Sequence, residues 1–213
     1  MDRLADTAHE NERIVLGLLN SVAHDGGKSQ RHIAAELGIA LGLVNAYLKR
    51  SIKKGLVKVS QAPARRYAYY LTPKGFSEKS RLTVEYLSLS FSFFRQAKFD
   101  CMRLFDVAKA QGLRRIVLSG KSDLSDIAIL CAVESGITIV ALVDAFTDQS
   151  KLIGVPVVPS FETIEGPFDA VIVTDVAHSR EAFDDAVRRV GRARVLVPTL
   201  LGLPVDGSDG AVA

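Results

Sequence analysis

Within ten residues, 45–54, the chain sets Asn45, Lys49, Arg50, Lys53 and Lys54, a carboxamide followed by four cations. A carboxamide can pair through two hydrogen bonds with the edge of adenine, and lysine or arginine can neutralise phosphate. Gln30 and Arg31 lie upstream, where backbone N–H groups and a cation suit a phosphate, and Arg65 and Arg66 lie downstream in a turn. A second group, Gly120, Ser122, Asp144 and Thr174, stands at or just beyond the ends of apolar runs. Small and acidic residues at such places can hold a phosphate or a ribose hydroxyl. Catalysis has no such footing. His9, His24, His32 and His178 are scattered, none within a serine or cysteine nucleophile pattern, so no enzyme is expected.

The first group needs a helix-turn-helix to position it. Ser29 can N-cap a short helix with Ile33, Ala34 and Leu37 on one face, and Gly38 supplies a left-handed turn. A second helix comes next, with Leu41, Val44, Leu48 and Ile52 at helical spacing. Its solvent face is expected to carry Leu41, Gly42, Asn45, Ala46 and Lys49. Asn45 is the residue suited to reading a base; Lys49, Arg50, Lys53 and Lys54 suit phosphates.

Charge shows the same division. The whole chain carries 27 Lys+Arg against 24 Asp+Glu, which points to no partner. Between Lys28 and Arg81, however, there are 12 Lys+Arg and 2 Asp+Glu, whereas Val84 to Ala213 has 13 against 17. The first segment is an electrostatic footprint for a polyanion such as duplex DNA.

At 213 residues and 48% hydrophobic, the chain can bury a full core. It shows no signal-peptide pattern and no apolar run of membrane length, so a cytoplasmic protein is expected. Cys101 and Cys131 have no metal or CxxC spacing, so they read as core thiols, and no metal site is expected.

The expected fold is α/β, in four parts. Residues 1–75 form a winged helix: a helix over Glu10–Ala23, the helix-turn-helix, then a hairpin of Leu56–Val59 and Tyr67–Leu71 around a basic turn. Residues 76–111 read as one or two linking helices. Phe91, Phe93, Phe94 and Phe99 would be exposed there on a monomer, which favours a homodimer through this segment over the alternative, burial against the chain's own domains. Residues 112–203 show a β-α-β grammar, with strands at Arg115–Ser119, Ile137–Val143, Val155–Val158, Phe168–Thr174 and Arg194–Val197 and helices at Asp123–Ser135 and His178–Val190. This is a small Rossmann-like parallel sheet. The 204–213 tail, rich in Gly, Asp and Ser, reads as disordered.

Over roughly its first 90 residues the chain resembles the MarR-type winged-helix regulators associated with bacterial exopolysaccharide synthesis. The residues that carry this are Ser29-Gln30-Arg31, Ile33-Ala34, Leu37-Gly38, Gly42, Val44-Asn45, Lys54-Gly55-Leu56-Val57-Lys58, Tyr69, Leu71 through Gly75, and Arg81-Leu82-Thr83. The resemblance implies a dimeric, sequence-specific DNA-binding regulator, with polysaccharide genes as targets. The C-terminal half resembles the small nucleotide-binding domains of polysaccharide-modifying enzymes. It also resembles the ligand domain of redox-sensing repressors, which join a winged helix to an NADH-binding domain. The carried features are strands ending at Gly120 and Asp144 and the turn at Gly154-Val155-Pro156-Val157.

The loop departs from that pattern. A dinucleotide fingerprint needs three glycines, and this chain has Gly120, Ser122 and Ser125. Asp144 is placed like the acid that holds a ribose hydroxyl. Gly120-Lys121-Ser122 is no Walker A motif, since Arg115 stands where its first glycine belongs. The cofactor is therefore unassigned. A nucleotide or nucleotide-sugar effector, intact NAD(H) binding, and a domain kept for assembly all remain open. The competing function classes are a winged-helix protein-interaction module whose second half serves only assembly and, third, a nucleotide-binding enzyme with a regulatory winged domain.

Overall fold

The computed structural model describes the backbone of residues 2–62 and 66–203 and the side chains of residues 10–61 and 67–203. The chain divides into two compact units, residues 1–91 and 92–213. The expected boundaries at 75 and 111 fall near the two ends of one unbroken helix, and the division into units lies inside it. Arg65 and the 204–213 tail lie outside the described residues, as does the side chain of Arg66.

The first unit is a three-helix core with a two-stranded wing. Helix α1 (Asp2–His24) buries Ile14, Leu18, Leu19 and Val22. Helix α2 (Gln30–Leu37) starts at Ser29, whose Oγ accepts the His32 N–H at 3.2 Å, and ends at Gly38 with φ 63°. That left-handed turn sends the chain into α3 (Leu41–Lys53), which buries Val44, Tyr47, Leu48 and Ser51. The Tyr47 hydroxyl donates to Asn11 Oδ1 of α1. Strands β1 (Val57–Ala62) and β2 (Arg66–Leu71) pair antiparallel from Val57↔Leu71 to Ala62↔Arg66.

Backbone contacts fix the wing to the helices. The Tyr69 N–H donates to the Gly26 carbonyl at 2.8 Å, and a Cβ on Gly26 would collide with the Tyr69 carbonyl oxygen. Helix α4 (Pro73–Ala110) begins against the start of the wing. Its Gly75 has no room for a Cβ beside the Leu56 carbonyl, and Thr72 Oγ1 accepts the Gly75 N–H at 3.0 Å. Within the first unit α4 turns Leu82 into the core, while Tyr86 and Leu89 line a cleft with Leu16 of α1. Val84, Leu87 and Phe91, spaced three and four apart on another side of the helix, are exposed.

The second unit is a six-stranded sheet in the order β5-β6-β4-β3-β7-β8. Its strands are β3 (Arg115–Ser119), β4 (Thr138–Val143), β5 (Lys151–Leu152), β6 (Val155–Val158), β7 (Ala170–Val173) and β8 (Val195–Leu196). All pair in parallel except the edge strand β5, which pairs antiparallel with β6 and had no sequence signal. Helix α5 (Asp123–Ser135) and the later part of α4 share a core with Ile116, Leu118, Leu142 and Ile172. Helix α6 (Ser179–Val190) packs Phe183 and Ala186 with Val117, Val171 and Val173, the alternate residues of the same strands. A sheet covered on both faces explains the apolar runs of β3 and β7.

Phe93 corrects one expectation. Phe91, Phe94 and Phe99 are exposed, but Phe93 is partly buried against the core of the second unit. Cys101 and Cys131 are buried, and burial pushes the Cys101 thiol up to about 12. Asp100 is 0% exposed; its carboxylate accepts the Thr199 hydroxyl at 2.7 Å, the Leu200 N–H at 2.8 Å and the Gln96 amide at 3.2 Å.

Candidate nucleic-acid interface and ligand crevice

Because α3 buries Val44, Tyr47, Leu48 and Ser51, its opposite ridge carries Gly42, Ala46, Lys49 and Lys53, all exposed, with Lys53 at the C-terminal end. Asn45 lies on the flank of that ridge, half-buried, with its carboxamide one helical step from Lys49. Leu41 and Leu43 are exposed in the first turn. The ridge is therefore small and neutral at its N-terminal end and cationic at its C-terminal end. A base edge can approach such an end closely, and phosphates can meet the lysines.

Two of the expected residues, Gln30 and Arg50, are engaged elsewhere, and Lys54 lies off the ridge. Gln30 Nε2 donates to the Tyr69 hydroxyl at 2.9 Å, so it ties α2 to the wing. Arg50 stacks its guanidinium on Tyr47, 5.3 Å from the ring centroid, and with Lys54 it lines a cleft that also holds Glu78 and Arg81. These two cations stand beside the ridge rather than on it. Arg31 is exposed next to Gln30, as expected.

Lys28, Ser29, His32, Tyr67 and Tyr69, together with Gln30, line a polar cleft of about 590 Å³ between the start of α2 and β2. Apart from Gln30, sequence reasoning assigned none of them to a site. The signal was present: Tyr67 and Tyr69 alternate in a strand, which puts both on the face turned toward the helices. Lys28 of this cleft is held by Glu36. Its carboxylate accepts Lys28 Nζ at 2.9 Å and Ser21 Oγ at 2.8 Å, and those two hydrogen bonds hold its pKa below the usual glutamate range.

In the second unit a crevice of about 340 Å³ opens at the carboxyl ends of β3, β4, β6 and β7. This is the place where an open parallel sheet forms a ligand site. Gly120 and Asp144 line it, as expected, but Ser122 and Thr174 do not. Thr174 is 0% exposed, and its Oγ1 donates to the Gly120 carbonyl at 2.6 Å. Ser122 Oγ donates to the Thr174 carbonyl at 2.5 Å and accepts the Leu124 N–H at 3.1 Å, while Ser125 Oγ accepts the Ser122 N–H at 3.1 Å. The two serines that replace fingerprint glycines thus form a reciprocal cap on α5.

A dinucleotide, one of the three alternatives left open by the sequence, does not fit this loop. The Gly120 N–H goes to the Val143 carbonyl at 2.9 Å, the Lys121 N–H to Asp144 Oδ2 at 2.8 Å, and the Ser125 N–H to the Ser122 carbonyl at 2.9 Å. Asp144 Oδ1 accepts the N–H groups of Phe146 at 2.9 Å and Thr147 at 3.0 Å, so the carboxylate suited to a ribose is also engaged. Pyrophosphate recognition needs those N–H groups. Among the described residues no cluster of His, Cys, Asp and Glu could hold a metal ion, and no helix is long and apolar enough to cross a membrane.

Of the comparisons with known proteins, one family model matches, within the first unit. Residues 12–58 match the family model for winged helix-turn-helix DNA-binding domains, which spans α2, α3 and the start of the wing. No curated protein matches the chain. Among solved structures, the PcaV transcriptional regulator from Streptomyces coelicolor is 23% identical, with a TM-score of 0.36 over 38% of this chain and 59% of that one. MepR, a regulator of the Staphylococcus aureus multidrug efflux pump MepA, is 22% identical, with a TM-score of 0.35 over 40% of this chain and 63% of that one. In both cases the match spans less than two thirds of the other protein. An O-methyltransferase of neocarzinostatin biosynthesis, NcsB1, is 16% identical, with a TM-score of 0.36 over 89% of this chain and 82% of that one. Likeness at these scores does not extend to shared function.

Proposed function

We propose that this chain is a homodimeric, sequence-specific regulator of transcription that binds duplex DNA through its winged helix, and that its second unit responds to a ligand. The observation that carries the reading is the α3 ridge, Gly42, Ala46, Lys49 and Lys53, on a winged helix within a strongly basic segment. In this arrangement α3 enters the major groove with Asn45 at a base edge, Arg31 meets phosphate at the start of α2, and Arg65 and Arg66 in the wing reach the adjacent backbone. Lys54 and Arg50 contribute to the field around the ridge. The resemblance of the first 90 residues adds polysaccharide genes as targets, and the cytoplasm is the compartment in which such a regulator meets DNA.

Val84, Leu87 and Phe91 support the dimer. The stretch from Thr83 to Phe94 holds one charged residue, Glu85, so a second copy meets this face without like-charge repulsion. The second unit's crevice, with Gly120 and Asp144 in its wall, is the ligand site of this reading.

The test is duplex binding as a function of salt, with sedimentation to give the stoichiometry. A dimer making six to ten phosphate contacts loses about 10³ to 10⁵ in affinity between ~50 and ~200 mM salt. Salt-independent binding to a palindromic site, or a monomer at the concentrations where DNA is bound, overturns the proposal.

A further inference from the structure

Resting on the reading of the second unit as ligand-responsive, we infer that its crevice takes a small organic cation, an amine joined to an aromatic or apolar group, in place of a nucleotide. The site is a concavity of about 340 Å³ at the end of the sheet, within the size range of small-molecule pockets. Its lining then decides the chemistry. Four acidic residues line it, Asp144, Asp175, Glu181 and Asp185, against one arginine, Arg189. Asp144 accepts three backbone N–H groups, Asp175 accepts the His178 N–H at 2.7 Å and Asp185 pairs with Arg188 at 3.2 Å, so the lining keeps its negative charge while Glu181 is the carboxylate open to a ligand.

Arg189 is already committed. It pairs with Glu162, and its Nε lies 3.6 Å from Asp185 Oδ1. His178 adds a partial counterweight when protonated, with Nδ1 3.9 Å from Asp175 Oδ1. Glu181 has no ion pair among the described residues and sits in the first turn of α6. A cleft lined by one sign of charge concentrates ligands of the other sign, so this one attracts cations and repels phosphates. The loop that would offset such repulsion with backbone N–H groups has spent them on its own capping.

Two rings complete the site. Phe146 lines the crevice yet is 94% exposed, and its backbone N–H is held by Asp144 at 2.9 Å, so the backbone that carries the ring is anchored beside the anion. Phe161 lines the crevice as well. An aromatic ring beside a carboxylate suits an ammonium carried on an apolar body, by cation–π attraction and by stacking.

The experiment uses the full chain and three probes of one shape, phenethylamine, 2-phenylethanol and phenylacetate, in calorimetric titrations at low salt. Phenethylamine is expected to bind at least tenfold more tightly than the alcohol, with no binding of phenylacetate. Glu181→Gln weakens the amine by about three- to tenfold and spares the alcohol. Phe146→Ala weakens both by about two- to fivefold. Both side chains are exposed, so unchanged thermal unfolding of the variants shows that the fold is kept. Equal binding of amine and alcohol, preference for phenylacetate or ADP, full amine affinity in Glu181→Gln, or no saturation by any probe below ~10 mM overturns the inference. DNA affinity measured with and without the amine is a separate readout. If the amine binds and DNA affinity stays the same, the cation site stands and only ligand control of DNA binding falls.

Discussion

Two helices in this protein, α2 in the first unit and α5 in the second, begin with the same device and end up with opposite electrostatics. Ser29 caps α2, and Ser122 caps α5. After its cap α2 has no acidic residue in its first turn, and Lys28, Arg31 and His32 surround its start. The first turn of α5 carries Asp123 and Asp126, and its cap is closed by a second serine, Ser125. A helix N-terminus is the positive end of an aligned dipole. In α2 no acidic side chain of the first turn answers that end, whereas in α5 Asp123 and Asp126 do. A serine-capped helix after a glycine-bearing turn therefore does not by itself make an anion site; the charges in the first helical turn decide.

The buried polar groups differ in the same way. The first unit buries the hydroxyls of Ser21 and Ser51, and the second buries a carboxylate, Asp100. Asp100→Ala leaves the Thr199 hydroxyl and the Leu200 N–H without their acceptor in the interior. The expected loss is about 2–4 kcal/mol of stability. Hydrogen exchange should show it confined to the second unit, with protection of Ile14–Val57 unchanged. A loss under ~1 kcal/mol, or one spread equally over both units, would show that the two are not separable in this sense.

Within the first unit the ridge itself can be divided. Asn45→Ala is expected to flatten sequence preference by about 1–3 kcal/mol at the base it reads, while Lys49→Ala weakens specific and random duplexes alike. Binding assays on both kinds of DNA separate these outcomes. Equal losses on the two for Asn45→Ala would move base reading to other residues of α3.

The serine caps give a smaller, direct contrast. Ser29→Ala removes one cap hydrogen bond, for an expected cost of about 0.5–1 kcal/mol. Ser122→Ala removes the cap and the bond to the Thr174 carbonyl, and unpairs the buried end of β7, so it should cost about 1–2 kcal/mol. Chemical denaturation of the two variants ranks them, and the reverse order would contradict the picture of a self-closed α5.

The range of each interaction decides how much of this was legible in the sequence. The Ser29 cap, the Gly38 turn and the α5 limits were readable because capping and periodicity act within one or two turns of chain. The helix over Asp123–Ser135 matches residue for residue. The α3 ridge could be placed on its wheel, but the diversion of Arg50 onto Tyr47 and of Gln30 onto Tyr69 depends on partners in other elements. The loop was half legible. Ser122 and Ser125 break the dinucleotide pattern in the sequence itself, yet the bond from Ser122 Oγ to the Thr174 carbonyl, 52 residues away, shows only in the fold. The β5 edge strand, two residues long, leaves too short a pattern to find.

The smallest expected effect tests whether the Glu36 carboxylate site of the first unit is structural. Glu36 is bound by Lys28 and Ser21, and its pKa lies below the ordinary value of 4.5. A carboxyl whose folded pKa is depressed stabilises the fold above its unfolded pKa, and that contribution is lost as the pH falls through the folded value. The first unit should therefore lose stability relative to a Glu36→Gln variant as the pH drops below about 4.5. Because the Glu36 side chain is 41% exposed, solvent screens the pair and the difference is small. Thermal unfolding of both proteins between pH 6 and pH 3 should show curves that converge toward the acid end. A constant gap across that range would mean that the Lys28–Glu36 contact contributes packing alone and that the charge on Glu36 does nothing to hold the start of α2 in place.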